Sequence, residues 1–268
     1  MRVVHPIERL RYFARAGDVD PAVLVQESVG ALAGLGDDPG GLLLSARRLL
    51  ARHPSSGPLW ALCARVLAAP DPAAEGFRFA QAVNDDPTPR ELAKALPDEA
   101  RITVLGWPDL VGESFRWRGD LEVLVVDARG EGSPFARRLQ ANEIEAIDID
   151  EGGLGAAAAR STVVVLECSA MGETGILAAP GSLAAAAVAR TFGIPVWVVA
   201  GEGRVLPRSL WDVLVLRQPI TDPWFANDEH VPIELLDAVV RPAGLQTVAD
   251  ALASPDCPPS PELQREDH

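Results

Sequence analysis

The sequence predicts an α/β protein in which a helical N-terminal part precedes a doubly wound, Rossmann-like parallel sheet. Two runs, Thr162–Leu166 and Ile194–Ala200, are short, rich in β-branched residues and not alternating, as in strands that are buried on both faces. The Ala-rich segment Ser182–Phe192 between them is typical of a helix, because Ala loses least on helix formation. A strand, a helix and a second strand in this order form a right-handed crossover in a parallel sheet.

The first 97 residues have the character of a helical part. Ile7–Arg15 places apolar side chains at helical spacing, and Asp20 followed by Pro21 is a helix start signal. Leu42–His53 and Leu59–Ala69 each follow a turn that contains Gly and Pro. We therefore predict a helical part over residues 1–97.

The second part, residues 98–253, alternates strand and helix patterns, which predicts the parallel sheet. Ser133–Ala141 has a helical pattern between two strand candidates. The tail from Ser254 is rich in Pro, Ser and charged residues, so residues 254–268 are predicted to be disordered. The further strand candidates are Ile102–Leu105, Leu121–Asp127, Glu145–Ile149 near an edge, and Leu210–Leu216 as a sixth strand.

Composition restricts the partners and the compartment. The net charge of −14 over 268 residues argues against a broad basic surface for nucleic acid. Ile176–Ala189, the longest apolar stretch, is interrupted by Pro180, so we expect no membrane span. The three cysteines, Cys63, Cys168 and Cys257, are scattered and lack metal-ligand spacing. They favour a reduced, cytoplasmic compartment, and we expect no cofactor.

The segment Glu167–Gly181 is predicted to be a loop, Gly-rich from Met171 onward, that leads into the helix of the crossover. Ligands of such sheets bind outside the carboxyl ends of the strands, so this loop is the first candidate for a site. Ser182 is placed to cap the helix and Gly193 to end it. Free N–H groups at Gly181 and Ser182 are suited to a phosphate, although an ordinary helix cap has the same sequence and Pro180 lacks an N–H.

Two arginines follow predicted strands and are candidates for phosphate contacts. Arg129 stands at a carboxyl end, where a guanidinium can hold a phosphate with two hydrogen bonds. The alternative is a surface arginine paired with Asp127 or Glu131. Arg204 comes after Gly201–Gly203, either as a second phosphate contact or as a solvated surface residue.

The stretch from Val165 to Ala200 resembles the regulatory-subunit family of translation initiation factor two-B, which includes methylthioribose-1-phosphate isomerase and ribose-1,5-bisphosphate isomerase. The family's pattern is a strand ending in G-A-D, a loop, N-K-x-G-T, a helix and x-P-x-x-V-A. At the first three places this chain has Leu166-Glu167-Cys168, Ala178-Ala179 and Pro180-Gly181-Ser182. Asp228–Val240 is similar to the family's last motif, which a helix follows, and the resemblance extends over Arg101–Gly244.

The resemblance implies roles for several residues. Arg129 matches the family's sugar-phosphate arginine, and Arg204 falls where a basic residue is frequent. The family's acid–base Asp falls at Cys168, or at Glu167 after a shift of one residue. A carboxylate deep in a crevice can transfer protons, because burial raises its pKa. A Cys is a poor substitute, and Cys168 is also explained as a small buried apolar residue. Glu173 and Thr174 lie further along the predicted loop, and their position there suggests that they line the pocket.

Other parts of the isomerase chemistry are absent from this sequence. Where the isomerases have a Cys in a T-H-C-N-T-G-like motif, this chain has Leu105–Asp109, without Cys or His. The Asn-Lys pair is replaced by Ala178-Ala179. Proton transfer between sugar carbons needs a positioned acid and base.

Three hypotheses follow for the function. The first is a regulatory, non-catalytic protein that binds a phosphorylated sugar or nucleotide. The second is a sugar-phosphate isomerase with rearranged groups such as Glu167, Glu173 or Asp109. The third, a Rossmann-type cofactor enzyme, is disfavoured because no G-x-G-x-x-G follows a strand. The resemblance also implies a homodimer, with Trp211 or the segment Val231–Val240 supplying apolar contact.

Overall fold

The computed structural model describes residues 21–36, 38–218 and 222–265. The helical pattern at Ile7–Arg15 lies outside the described residues. The N-terminal part of the described chain consists of five helices, in agreement with the sequence prediction: α1 (Pro21–Ala33), α2 (Pro39–Arg52), α3 (Gly57–Ala68), α4 (Pro72–Asn84) and α5 (Thr88–Ala95).

Local sequence explains where these helices begin. Asp38 and Asp71 each precede a proline, and each carboxylate accepts a backbone N–H in the first turn, from Gly41 at 3.0 Å and from Ala74 at 2.9 Å. The central helix α3 is buried along most of its length, with Trp60 fully enclosed, because the other helices and the sheet surround it. A helix buried on all sides explains the continuous apolar run of its sequence.

The α/β part is a mostly parallel sheet with the strand order β3-β2-β1-β4-β6-β8-β9, in which β9 is antiparallel to β8. Two further strands, β5 and β7, pair antiparallel beside this path. The predicted fold class is confirmed, and β3 lies at an edge as predicted. The strands are β1 (Arg101–Leu105), β2 (Glu122–Val126), β3 (Glu145–Ile149), β4 (Val163–Gly172), β5 (Gly175–Ala178), β6 (Val196–Val199), β7 (Glu229–Pro232), β8 (Ala238–Arg241) and β9 (Gly244–Gln246).

Helices cover both faces of this sheet. Alternate residues of β4 show this directly, because Val163 and Val165 pack into one apolar cluster and Val164 and Leu166 into another. Burial on both faces explains why these strands lack an alternating pattern. The helices of this part are α6 (Asp109–Ser114), α7 (Gly132–Ala141), α8 (Leu154–Arg160), α9 (Ser182–Phe192), α10 (Arg208–Leu216), α11 (Val248–Ala253) and α12 (Pro261–Gln264).

The prediction of a loop after Glu167 is wrong, because most of this segment forms a β-hairpin. Strand β4 continues to Gly172, turns at Glu173 and Thr174, and returns as β5, whose other edge pairs with β7. The glycines that indicate a loop in the sequence, Gly172 and Gly175, instead flank a two-residue hairpin turn. The apolar residues of this hairpin are buried, which explains why it folds back onto the protein.

Two other predicted elements differ from the structure. Leu210–Leu216, a strand candidate, belongs to helix α10, whose buried residues Leu210, Trp211 and Leu214 lie on one helical face. The helix that the resemblance implies near Val240 is absent. That segment forms a short 3₁₀ turn at Ile233–Leu235 and then β8, whose Val239 and Val240 are buried beside β6.

The tail is ordered where the structure describes it, in contrast to the prediction of disorder. Residues 254–265 include α12, and Cys257, Ser260 and Leu263 are buried. The buried side chain of Asp256 pairs with Arg241 at the end of β8 and accepts the N–H of Val205 at 2.8 Å. A few buried anchors hold a segment whose composition alone is typical of disorder.

Helical part and sheet meet close to the carboxyl ends of the strands. A Cβ added at Gly57, the first residue of α3, would lie 2.7 Å from the carbonyl oxygen of Ser169 and 3.1 Å from Cα of Arg204. Only glycine permits this approach. The start of α3 therefore rests directly on the backbone around the predicted site.

Candidate functional site

The candidate site is the crevice at the carboxyl ends of β1, β2, β4 and β6. In the parallel part of the sheet β4 pairs with β6 as far as Glu167, and β2 ends just before Asp127. The predicted site residues come from these strand ends, from the hairpin and from the start of α9. The hydrogen bonds of these residues show which of them are available to a ligand and which are already bound to other parts of the chain.

Arg129 lies in a tight loop that its neighbour Asp127 organises. Arg129 has a left-handed backbone (φ 56°), as does Gly130 (φ 82°). The two carboxylate oxygens of Asp127 accept the N–H groups of Gly132 at 2.7 Å and Gly130 at 3.0 Å. The nest of backbone amides, which resembles an anion-binding loop, thus already holds a carboxylate.

The guanidinium of Arg129 is exposed and contacts the segment that precedes β7. Its Nη2 donates a hydrogen bond to the carbonyl oxygen of Ala226. Asp127, one of the two carboxylates that the sequence offered as partners, uses its oxygens for the loop amides. Arg129 therefore keeps its charge at the surface, next to the segment that precedes β7.

The start of α9 also holds a carboxylate of the same chain. Gly181 has a left-handed backbone (φ 95°), and Ser182 is the first helical residue, with no capping hydrogen bond from its side chain, so its predicted role as cap is wrong. Gly193 ends the helix as predicted. Oε1 of Glu229 accepts the N–H of Leu183 at 2.6 Å, and Glu229 therefore occupies the predicted phosphate position.

Glu229 is only partly accessible to solvent. Its burial raises the pKa of the carboxyl group, and the amides of Leu183, Gly181 and Ser182 act in the opposite direction by stabilising the charged form. A carboxylate at a helix N-terminus interacts favourably with the helix dipole. Glu229 was not among the residues selected from the sequence, and only its acidic side chain beside the similar C-terminal motif could have suggested it.

Arg204 and Glu167 form a buried ion pair. Nη1 of Arg204 lies 2.9 Å from Oε1 of Glu167, and the two side chains are 8% and 12% exposed. The same Nη1 donates to the carbonyl oxygen of Cys168 at 2.6 Å, and Oε2 of Glu167 accepts the N–H of Val111 at 3.1 Å. The predicted second phosphate contact and the predicted acid–base carboxylate thus bind each other.

Cys168 is fully buried and points away from solvent. Its Sγ lies 3.5 Å from the carbonyl oxygen of Val199, and its side chain belongs to the apolar cluster beneath the sheet. Burial raises the pKa of the thiol to about 12, although the nearby charge of Arg204 acts in the opposite direction. A thiol with such a pKa neither gives nor takes a proton readily near neutral pH.

Glu173 and Thr174 form the turn of the hairpin and bind α10. Oε2 of Glu173 lies 3.3 Å from Nη1 of Arg208, and Oγ1 of Thr174 accepts the indole N–H of Trp211 at 2.7 Å. These contacts fix the hairpin to the helix that follows β6. They give both residues a structural explanation that does not involve a ligand.

Asp86 is a second residue that the sequence analysis missed. It comes from the turn between α4 and α5, and its Oδ2 accepts the N–H of Glu202 at 2.8 Å. Burial and the charges of Asp256 and Asp86 raise the pKa of Glu202. The helical part therefore adds negative charge to the carboxyl end of β6, where Gly201–Gly203 follow the strand.

A surface depression of about 520 Å³ lies beside this crevice rather than in it. It is bounded by the end of α3, by Glu75 and by residues 255–258 of the tail. Its wall includes the guanidinium of Arg65, which is paired with Glu75 at 2.7 Å. None of the residues predicted to bind the ligand contributes to it.

In the described part of the chain, no helix combines the length and the apolar character that crossing a bilayer requires. The sequence matches no model of a known protein family, and no curated protein matches it. Similarity therefore rests on solved structures.

Three solved structures are similar over 92% of this chain. The chain is 16% identical to a chain of the tetrameric eIF2B-beta2-delta2 complex from Chaetomium thermophilum, of which 92% is covered, with a TM-score of 0.74. It is 15% identical to translation initiation factor eIF-2B of Pyrococcus horikoshii (98% covered, TM-score 0.71) and to eIF2B beta of Chaetomium thermophilum (90% covered, TM-score 0.66). At this identity the likeness defines the fold, and at that level it confirms the resemblance inferred from the motifs.

Proposed function

We propose that this chain, which has the fold of the eIF2B beta and delta subunits, is a regulatory protein without isomerase activity that binds a phosphorylated sugar or nucleotide. One observation carries the non-catalytic part of the proposal. Glu167 and Cys168, the two residues at the place of the family's acid–base Asp, are not available, because Glu167 is held in the buried pair with Arg204 and Cys168 is enclosed. Isomerisation of an aldose phosphate requires a group that removes and returns a proton at the sugar carbons.

The ligand contacts in this proposal are the side chain of Arg129 and the helix start at Gly181 and Ser182, where the N–H of Ser182 also donates to the carbonyl oxygen of Ala179 at 3.1 Å. Arg129 carries an exposed guanidinium, which suits a phosphate, and a helix start attracts anions. Arg204 is neutralised by Glu167 below the crevice and has no free approach to a ligand. Glu173 and Thr174 support the crevice wall through α10 and do not contact the ligand in this proposal.

The proposal includes a homodimer in the cytoplasm. Trp211 is buried, and the apolar side chains of Val231–Val240 are buried or half-buried, so they do not supply the contact surface that the sequence analysis suggested. Trp224 and Phe225, which are 73% and 67% exposed, are better candidates for it. The eIF2B beta and delta chains of Chaetomium thermophilum form a tetrameric complex, which supports self-association of this fold. Free thiols at Cys63, Cys168 and Cys257 suit a reducing compartment.

Calorimetric titration with ribose 5-phosphate and with AMP tests the binding. We expect Arg129→Ala to weaken binding by about tenfold or more, because it removes a charge-assisted hydrogen bond. The matched control is Arg137→Ala, which removes an exposed arginine from the outer part of α7. Equal affinities for wild type and Arg129→Ala would contradict the proposed site.

An assay for ketose product tests the absence of catalysis. The substrates are methylthioribose-1-phosphate and ribose-1,5-bisphosphate, and we expect no turnover above the uncatalysed rate with either. Glu167→Gln is assayed in parallel. Turnover by the wild type that this substitution abolishes would replace the proposal with the isomerase alternative.

A further inference from the structure

We propose that residues 226–229, which we call the strap, occupy the phosphate site and regulate access to it by competing with the ligand. This inference rests on the proposed function, since it concerns the same site. It identifies a contact that the chain makes with itself where the ligand is expected to bind.

The strap is attached at three points around the crevice. Ala226 accepts a hydrogen bond from the guanidinium of Arg129 at the end of β2. Oδ1 of Asp228 accepts the hydroxyl proton of Ser169 at 3.0 Å. Oε1 of Glu229 accepts the N–H of Leu183 at 2.6 Å at the start of α9. Both elements that are proposed to bind phosphate therefore bind this one segment.

The bound groups have the chemistry of the proposed ligand. A carboxylate at a helix N-terminus uses the same amides and the same dipole as a phosphate would. A neutral carbonyl oxygen is a weaker acceptor for a guanidinium than an anionic phosphate oxygen, because an arginine–phosphate pair joins two opposite charges and can form two parallel hydrogen bonds. A phosphorylated ligand can therefore replace Glu229 at the amides and Ala226 at Arg129, whereas the hydrogen bond between Ser169 and Asp228 is lost when the strap opens.

The strap ends at the first residue of β7, so its release requires only the end of that strand to open, before the fully buried Val231. Glu229 is the first residue of β7, and among the described strands β7 pairs only with β5, through four residue pairs. Peripheral strands with few pairs open at lower free energy than the centre of a sheet. The apparent dissociation constant is the intrinsic constant divided by the fraction of molecules in which the strap is open. A strap that is closed in about nine molecules of ten weakens binding about tenfold.

The competing carboxylate can be removed without changing the ligand contacts. Glu229→Ala leaves Arg129 and the α9 amides in place, and the matched control Glu27→Ala makes the same charge change on the exposed face of α1. Calorimetric titration with ribose 5-phosphate is performed on wild type and both variants. We expect Glu229→Ala to bind about tenfold more tightly than wild type and Glu27→Ala to bind as wild type does.

A second variant, Glu229→Gln, covers the case in which Glu229→Ala unfolds, which circular dichroism would detect. The amide keeps the size of the side chain and one acceptor oxygen but loses the charge, so we expect an intermediate gain in affinity. Unchanged binding in the folded Glu229 variants, with a wild type that binds through Arg129, would overturn the strap and leave the proposed function intact.

The two proposals fail in different ways. Binding by Glu229→Ala without any binding by wild type at millimolar ligand would support the strap and overturn the ligand-binding function. Absence of binding in wild type, Glu229→Ala and Glu229→Gln would overturn both proposals, because an open helix start next to Arg129 would then have no affinity for phosphate.

Discussion

Glu167 and Arg204 form a buried ion pair in which Nη1 lies 2.9 Å from Oε1, at the point where the predicted catalytic carboxylate meets the predicted phosphate ligand. The pair joins β4 to the segment after β6. Because the two charges neutralise each other in the interior, the pair stabilises the structure around the crevice. Neither group is then available for proton transfer or for binding a phosphate. The stability of the protein should therefore depend on both of them.

We predict that Glu167→Ala lowers the free energy of unfolding by about 3–5 kcal/mol, since it leaves the buried guanidinium of Arg204 without a counter-charge. Urea denaturation measures the change. The control is Glu91→Ala, which breaks the pair of Glu91 with the exposed Lys94 and should cost less than about 1 kcal/mol. Equal losses in the free energy of unfolding for the two substitutions would show that the buried pair stabilises the protein no more than the exposed pair does.

Asp256 is predicted to anchor the tail. Its carboxylate pairs with Arg241, and both side chains are at least nine-tenths buried. Asp256→Ala leaves the charge of Arg241 uncompensated and should cost about 3–5 kcal/mol in urea denaturation. Asp212→Ala on the exposed side of α10, where the pair with Arg208 is long at 3.7 Å, is the control and should cost less than about 1 kcal/mol. If Asp256→Ala lowers the free energy of unfolding no more than Asp212→Ala does, the tail is not anchored by Asp256.

Glu202 should make the stability depend on pH. Burial, with the charges of Asp256 and Asp86, raises its pKa in the folded state, so the protonated form is favoured by folding. This contribution is present below the unfolded pKa of about 4.3 and is lost as the pH rises through the folded pKa. We predict that Glu202→Gln stabilises the protein at pH 7 by less than about 1 kcal/mol, because the side chain is only half-buried.

The measurement is thermal unfolding of wild type and Glu202→Gln at pH 7 and at a pH below the ordinary glutamate range. The difference in melting temperature should shrink at the lower pH, where both side chains are neutral. Glu27→Gln on α1 removes an exposed carboxylate and should leave the melting temperature unchanged at both values. A wild type that is more stable than Glu202→Gln at pH 7 would contradict the raised pKa.

Trp224 and Phe225 should determine self-association. Both are largely exposed, and replacing them with Ser removes apolar area that a partner would cover. We predict a dimer of the wild type at micromolar concentration in sedimentation velocity, and about tenfold or more weaker association of the Trp224→Ser, Phe225→Ser double variant. Phe77→Ser, at an exposed site on α4 where the side chain is 53% exposed, should not change association. A monomeric wild type would exclude this role.

The predictions from the sequence were right where the signal is local. The parallel strands β1, β2 and β3 and the helix α9 agree with the predicted segments, since runs of β-branched residues and an Ala-rich segment carry their own conformational preference. Errors arose where context overrides that preference. Helix α10 contains a run of Val and Leu that is typical of a strand, and the buried hairpin β4–β5 contains glycines that are typical of a loop.

The sequence by itself determined the fold class, the order of most elements and the position of Arg129 at a strand end, because these follow from hydrophobic spacing within a few residues. Tertiary structure alone decided the partners of the charged groups in the crevice. Glu229 meets Leu183 across 46 residues of chain, and Arg204 meets Glu167 across 37. A carboxylate has the same local sequence signal whether it faces solvent or an internal cation, so its role depends on which distant strand ends the fold brings together.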